Sequence, residues 1–212
     1  MVDELLLAPA RRLRHAPDRL LHPLRRRAAI RALRARPLPR AILVVCHGNI
    51  CRSPFGGALL ARALGPAGVL VASAGFVSPG RGVPAEGNIA AARRGVDLSQ
   101  HRSQLVTPVL AAAAEIIIVM DARQQRMVCE RFGRVPADVM LLGDLDPDAI
   151  ATRAIHDPVE QPLEAFEKSY ARIERCVDVF LTALRPPLRA RSSGPRVTQH
   201  TSGHSLQLRG GK

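Results

Sequence analysis

The sequence predicts a single α/β domain: a four-stranded, mostly parallel sheet with helices on both faces and a phosphate-binding loop after the first strand. Three features point there. Short apolar runs alternate with helical patterns, as βαβ units around a buried parallel sheet do. The first of those runs ends in a tight turn containing Gly48 and Asn49 that opens directly into a helical pattern. The length, 212 residues, suits one domain with extra sequence rather than two full domains.

AILVVC (41–46) is the clearest buried strand, and GVLVASA (68–74), EIIIVM (115–120) and ADVMLL (137–142) are three more. Each is short, aliphatic and largely β-branched, which favours strand over helix. Helical spacing fills the gaps at 54–64, 84–94 and 122–132, and again from about 162 to 184. In the last of these, Phe166, Tyr170, Ile173, Val177, Phe180 and Leu184 recur at the interval that lines one helix face.

The net charge of +13 belongs to the flanks. Residues 1–40 hold eleven arginines against three acids, a net of +8, and residues 185–212 hold six Lys or Arg and no acid, a net of +6. Residues 41–184 hold fourteen basic and fifteen acidic residues, a net of −1. The chain therefore divides into a basic arm (1–40), a near-neutral domain (41–184) and a basic tail (185–212), bounded by Pro37, Pro39 and Arg185-Pro186-Pro187. The tail is polar and rich in Gly and Ser, so disorder is expected. The arm spaces Leu20, Leu21, Leu24, Ile30 and Leu33 loosely, with Pro17 and Pro23 interrupting, so a short surface helix is expected. Such arms either attract an anionic membrane or nucleic acid in a salt-sensitive way or are plain solvated tails.

No apolar run approaches a membrane span, and the N-terminal LLLAPA follows two acids and gives way to arginines, unlike a secretory signal. A cytoplasmic location is expected. Four cysteines are too few for a disulfide framework at this length, so they are read as chemistry or packing.

The chemistry concentrates in VVCHGNICRSPFGGALLARAL. A helix N-terminus presents unpaired N–H groups and the positive end of the helix dipole, so a loop folded against it becomes an anion site. Gly48 and Asn49 are residue types that accept positive φ, which an inward-facing nest of amides requires. Pro54 suits the first helical turn, where its missing donor costs nothing. Positive surroundings favour a thiolate, so Cys46 is expected to be a nucleophile at neutral pH. Arg52 supplies a planar fork that grips two phosphate oxygens, which a lysine cannot do.

This C-x5-R-S arrangement, CHGNICRS, resembles the low-molecular-weight protein tyrosine phosphatases of bacterial type. The resemblance runs from about Ala41 to Leu184, with SAG at 73–75, His101 after DLS, IIIVMD ending at Asp121, LLGDLDP at 141–147 and IHDP ending at Pro158. It implies phosphotyrosine hydrolysis through a cysteinyl phosphate, with Cys46 as nucleophile and Asp157 as general acid and base. Arg52 and the backbone of His47, Gly48, Asn49, Ile50, Cys51 and Ser53 would hold the phosphate. Ser73 and His101, with Asn49 and Ser53, would support the loop. The resemblance implies no metal or other cofactor, and a phosphotyrosine protein as partner, such as a bacterial tyrosine autokinase. Cys51 either guards an oxidised Cys46 by forming a disulfide or fills a gap under the loop.

Two departures bear on substrate choice. Phe55, Gly56 and Gly57 follow the helix start, where the family has a small pair ending in Glu, and Val159 and Glu160 follow Asp157-Pro158, where it has aromatics. Phe76 and Phe55 are the candidates for an aryl wall. Two rivals stand beside this reading: an arsenate reductase of the same fold, which needs two further cysteines close together, and a non-catalytic module acting through its basic arms. Zinc would need a second ligand pair near Cys46 and Cys51, and a nucleotide P-loop would need GK[ST]; the sequence has neither.

Overall fold

Ala41–Val45 is the strand around which the rest is arranged. The structure, a computed structural model, describes residues 16–184. In chain order, α1 is Ala16–Arg34, β1 Ala41–Val45, α2 Arg52–Leu64, β2 Leu70–Ala74, α3 Ala85–Ala92, α4 Pro108–Ala113, β3 Ile116–Val119, α5 Ala122–Phe132, β4 Val139–Leu141 and α6 Leu163–Leu184. The strand order is β2-β1-β3-β4, and every pairing is parallel. β2 lies on one side of β1 and β3 on the other, so the chain reverses its winding beside the C-terminal end of β1. In open α/β sheets that crevice is where ligands bind.

Alternation along the strands builds two cores. Ile42, Val44, Ile116 and Ile118 face a cluster with Leu60 of α2, Ala91 of α3 and Phe166, Ile173, Val177 and Phe180 of α6. Leu43, Val45, Ile117 and Val119 face Ala111 of α4 and Val128 of α5. The helix α4, unannounced in the sequence because its alanines give no polar contrast, starts at a Thr107 cap whose hydroxyl accepts from the Leu110 amide. All four strands are shorter than the apolar runs that announce them, and α2 begins at Arg52 rather than at Pro54.

The arm differs most from expectation. Ala16–Arg34 is one continuous helix that packs on α6 and on the turn Leu142–Leu145, in place of a short surface helix broken at two prolines. Pro17 falls in the first turn, where it is tolerated, and Pro23 lies on the exposed side, so the carbonyl it leaves free can meet water. An interior proline costs about 3 kcal/mol. Against that stands docking of the opposite face, where Leu33 is fully buried and Ile30 and Ala29 pack against the first core; burying one such leucine contributes about 1.5–3 kcal/mol. The tail at 185–212 and the first fifteen residues of the arm lie outside the described residues. Among the described residues no helix is long and apolar enough to cross a membrane.

Candidate active site

The turn after β1 is held from outside. Asn49 adopts φ 52°, in the left-handed region that asparagine tolerates better than most residues. Its side chain ties three segments together: Nδ2 donates to Ser53 Oγ and to Ser73 Oγ, each at 2.9 Å, and Oδ1 accepts from the Gln104 amide at 2.9 Å. His101 Nε2 donates to the Asn49 carbonyl at 2.7 Å. Cys46, 2% exposed, lies with Sγ 3.0 Å from Ser53 Oγ. Because the Ser53 oxygen already accepts from Asn49, its own proton is left for the sulfur or for the Ala74 carbonyl at 3.5 Å.

The other expected residues fall around the same turn. His47 is exposed, and its carbonyl accepts from the Phe76 amide at 2.8 Å. Gly48 is half-buried, Ile50 and Cys51 are buried, and Arg52 and Ser53 open α2 with no acidic residue in its first turn. Burial pushes the Cys51 thiol up to about 12, with the neighbouring Asp157 and Cys46 charges adding to it. Cys51 is therefore a neutral thiol at ordinary pH.

Arg52 is 3% exposed, an unusual place for a guanidinium. One of its Nη groups donates to the Ile155 carbonyl at 3.0 Å and the other pairs with the Asp157 carboxylate. Its Nε is buried with no acceptor among the described residues. An unsatisfied buried donor costs about 1–3 kcal/mol, which an anion seated in the turn would relieve. Asp157 itself is half-exposed at the rim, its Oδ1 3.4 Å from the Val159 amide.

A cysteine, a buried arginine fork and a carboxylate thus converge on one turn at the helix start. A family model described as low molecular weight phosphotyrosine protein phosphatase matches residues 41–189. The chain belongs to this family. The probable low molecular weight protein-tyrosine-phosphatase EpsP of Ralstonia nicotianae is 37% identical over 148 residues, which cover 69% of this chain and 97% of EpsP. Among solved structures, the tyrosine phosphatase AmsI of Erwinia amylovora is similar with a TM-score of 0.63 and 33% identity over 69% of this chain and 94% of AmsI. The tyrosine phosphatase Wzb of Escherichia coli K30, solved with sulphate, is similar with a TM-score of 0.63 and 28% identity over 70% of this chain and all of Wzb.

Several residues beside this phosphatase loop have roles that the sequence did not single out. Tyr170 stacks on Phe55 at 4.1 Å between ring centroids and donates its hydroxyl to the Cys51 carbonyl at 3.2 Å, so the only tyrosine braces the loop from below. Phe55 is fully buried in that stack and cannot form an aryl wall, which corrects the expectation. Phe76, half-buried and joined to His47, remains at the rim, with Arg131 Cζ 6.0 Å from its ring centroid. Gly57, a departure from the family pattern, has a packing reason: a Cβ there would come 3.3 Å from the Ser73 Cβ. Cys129 packs on the second core and Cys176 in the first, on opposite faces of the sheet, so they cannot form the close pair an arsenate reductase needs. Among the described residues no group of three or more His, Cys, Asp or Glu is clustered to hold a metal ion.

Gly75, in the SAG stretch, lies against the loop backbone: a Cβ there would stand 2.8 Å from Asn49 N and from the His47 carbonyl oxygen. Backbone cannot swing aside as a side-chain end can. Gly75→Ala should therefore weaken inhibition by inorganic phosphate by about tenfold or more, whereas Gly65→Ala, where a Cβ meets nothing within 4 Å, should leave it within about twofold. Equal inhibition constants for the two variants would mean that the loop does not depend on this contact.

Proposed function

We propose that this protein tyrosine phosphatase hydrolyses phosphotyrosine with Cys46 as nucleophile, residues 47–53 as the phosphate cradle, Arg52 as the bidentate clamp and Asp157 as general acid and then base. The single observation that carries the reading is the setting of Arg52, one residue before Ser53 and paired with the expected acid. Its guanidinium pairs with the Asp157 carboxylate, and its chain neighbour Ser53 meets the Cys46 sulfur with its hydroxyl. In this reading, phosphate gripped by Arg52 lies within reach of both the sulfur and the carboxyl.

In this reading Cys46 Sγ attacks phosphorus in line, the bond from phosphorus to the phenolic oxygen breaks, and the Asp157 carboxyl gives its proton to that oxygen. The cysteinyl phosphate is then attacked by water, whose proton passes to the Asp157 carboxylate as the phosphorus–sulfur bond breaks and inorganic phosphate leaves. Backbone amides of the loop and the Arg52 fork stabilise the charge on the equatorial oxygens throughout. Asn49, Ser53, Ser73 and His101 act by keeping the loop in shape. Phe76 and Val159 supply the apolar contacts for an aryl ring.

The partner is a phosphotyrosine protein, and a bacterial tyrosine autokinase fits, since the relatives matched over nearly their whole length are bacterial. Four free cysteines, one of them a nucleophile that must stay reduced, support a cytoplasmic setting. The cationic arms add contact to an anionic membrane or nucleic acid: Arg27 and Arg31 lie exposed on α1 beside the outward Leu20 and Leu24. Cys51, in the same loop, is the thiol that captures an oxidised Cys46. Peroxide converts the Cys46 sulfur to a sulfenic acid, and the Cys51 sulfur displaces its hydroxyl, which leaves as water with the thiol proton, to form a disulfide. Because burial holds the Cys51 thiol protonated, capture should quicken as pH rises.

Cys46→Ser and Arg52→Ala should each lower turnover of an aryl phosphate by roughly three orders of magnitude or more with an unchanged melting profile, and Arg52→Lys should fare little better. Asp157→Ala should make kcat/KM fall steeply as the leaving-group pKa rises; an unchanged dependence would assign the acid elsewhere.

Peroxide-treated wild type should regain activity on reduction and yield a Cys46–Cys51 peptide by mass spectrometry, while Cys51→Ser should lose activity for good. Equal recovery in both proteins would reduce Cys51 to packing.

Binding of the full chain to vesicles containing anionic lipid should weaken severalfold for each doubling of salt concentration, as counterion and screening effects require. Salt-independent binding, or none, would rule out an electrostatic role for the arms.

A further inference from the structure

The segment from Asp146 to Asp157 runs to the site without regular secondary structure, and its start is fastened by α1, which precedes the family-matched residues 41–189. His22, 6% exposed, donates from Nε2 to the Asp146 carbonyl at 3.0 Å. One turn earlier, Asp18 Oδ2 accepts from the Arg153 amide at 3.2 Å and from the Thr152 hydroxyl at 3.4 Å. Although burial works against it, the Arg153 amide and Arg25, whose Nη1 lies 2.9 Å away, hold the Asp18 carboxyl below the usual carboxylate range.

From these two points the fastening continues inward. Arg172 of α6 donates to the Thr152 and Ala154 carbonyls, each at 2.8 Å, and to the Asp146 carboxylate at 2.8 Å. The Ile155 amide donates to the Met120 carbonyl just after β3 at 2.9 Å, and the Ile155 carbonyl accepts from Arg52 at 3.0 Å. Two residues further on stands Asp157. The side chains of α1 thus hold backbone groups at 146 and 153, on either side of a stretch in which Pro147, Asp148 and Ala149 are exposed.

We propose that α1 is a positioning element for Asp157, with Asp18 and His22 fixing the course of residues 146–153 and so the placement of the carboxyl at the leaving-group oxygen. This rests on the reading of Asp157 as general acid. A small displacement of that carboxyl matters only when the leaving group needs its proton, so the effect is selective: it falls on phenyl phosphate, whose phenolate leaves poorly, and spares 4-nitrophenyl phosphate, whose phenolate leaves with little help.

The test uses the full chain and kcat/KM, which reports the steps through phosphorylation of the enzyme. Asp18→Ala combined with His22→Ala should lower kcat/KM for phenyl phosphate by about tenfold, and for 4-nitrophenyl phosphate by no more than about twofold. Asp18→Asn, which keeps an acceptor for the Arg153 amide, should restore most of the loss that Asp18→Ala causes. Should the double variant fold poorly in a thermal melt, His22→Phe keeps a buried ring without the donor and should still show the selective loss. Placed in an Asp157→Ala background, the α1 substitutions should change neither rate further. Equal losses on both substrates, no loss on either, or a continued selective loss without Asp157 would each overturn the proposal. Asp157→Ala alone tests the acid assignment separately, because its leaving-group dependence does not involve α1.

Discussion

A turn whose amide donors serve a ligand, as proposed for residues 47–53, cannot use them to hold itself together, and the rest of this structure is consistent with that constraint. The shape must come from carbonyls and side chains on the far side of the loop. Here Asn49 carries most of it, reaching Ser53, Ser73 and the Gln104 amide with one side chain while His101 takes its carbonyl. β2 lies next to β1, which sets Ser73 and Gly75 against the loop, and Tyr170 reaches up from α6 to the Cys51 carbonyl. Buried polar networks of this kind are stiff when every member is satisfied, and on the proposed function that stiffness would present the amides to a phosphate without reorganisation.

How much of this is legible in the sequence depends on how local each requirement is. The strand, the turn and the helix from Ala41 to Leu64 need nothing from elsewhere: aliphatic residues, a residue tolerant of positive φ and a proline in the first helical turn announce themselves. Asp157 is different. Its partner Arg52 lies 105 residues away in the chain, and an aspartate before a proline is an ordinary turn residue unless the family pattern marks it. The support from Tyr170 is likewise out of reach, because core spacing explains a buried tyrosine and says nothing of its hydroxyl. Phe55 misleads for a related reason: an aromatic beside a site motif looks available for substrate, but the helical phase turns it inward onto Tyr170.

The arm is the larger departure, and the cause is compositional. Eleven arginines and five prolines suggest a solvated segment. The face that docks is marked by His22, Ala29, Ile30 and Leu33, a stripe too weak and too polar to register as amphipathic, while the more conspicuous Leu20 and Leu24 point outward. Polar anchors decide the matter: Asp18 and His22 bond to backbone groups of a segment more than a hundred residues distant, and no local pattern encodes that.

The contact between Arg52 and Asp157 has a consequence for what the site will accept. If Arg52 grips phosphate as proposed, one guanidinium is shared between the enzyme's own carboxylate and the incoming phosphate, so entry is an exchange of anions and the visitor must compete with a carboxylate already in place. A monoester dianion does so with two charges. A phosphodiester brings a single charge, carries a second substituent in place of an oxygen that the loop amides would hold, and leaves the carboxylate with the arginine. On the proposed reading, rejection of phosphodiesters such as nucleic acid backbone and phospholipid would thus be built into one ion pair.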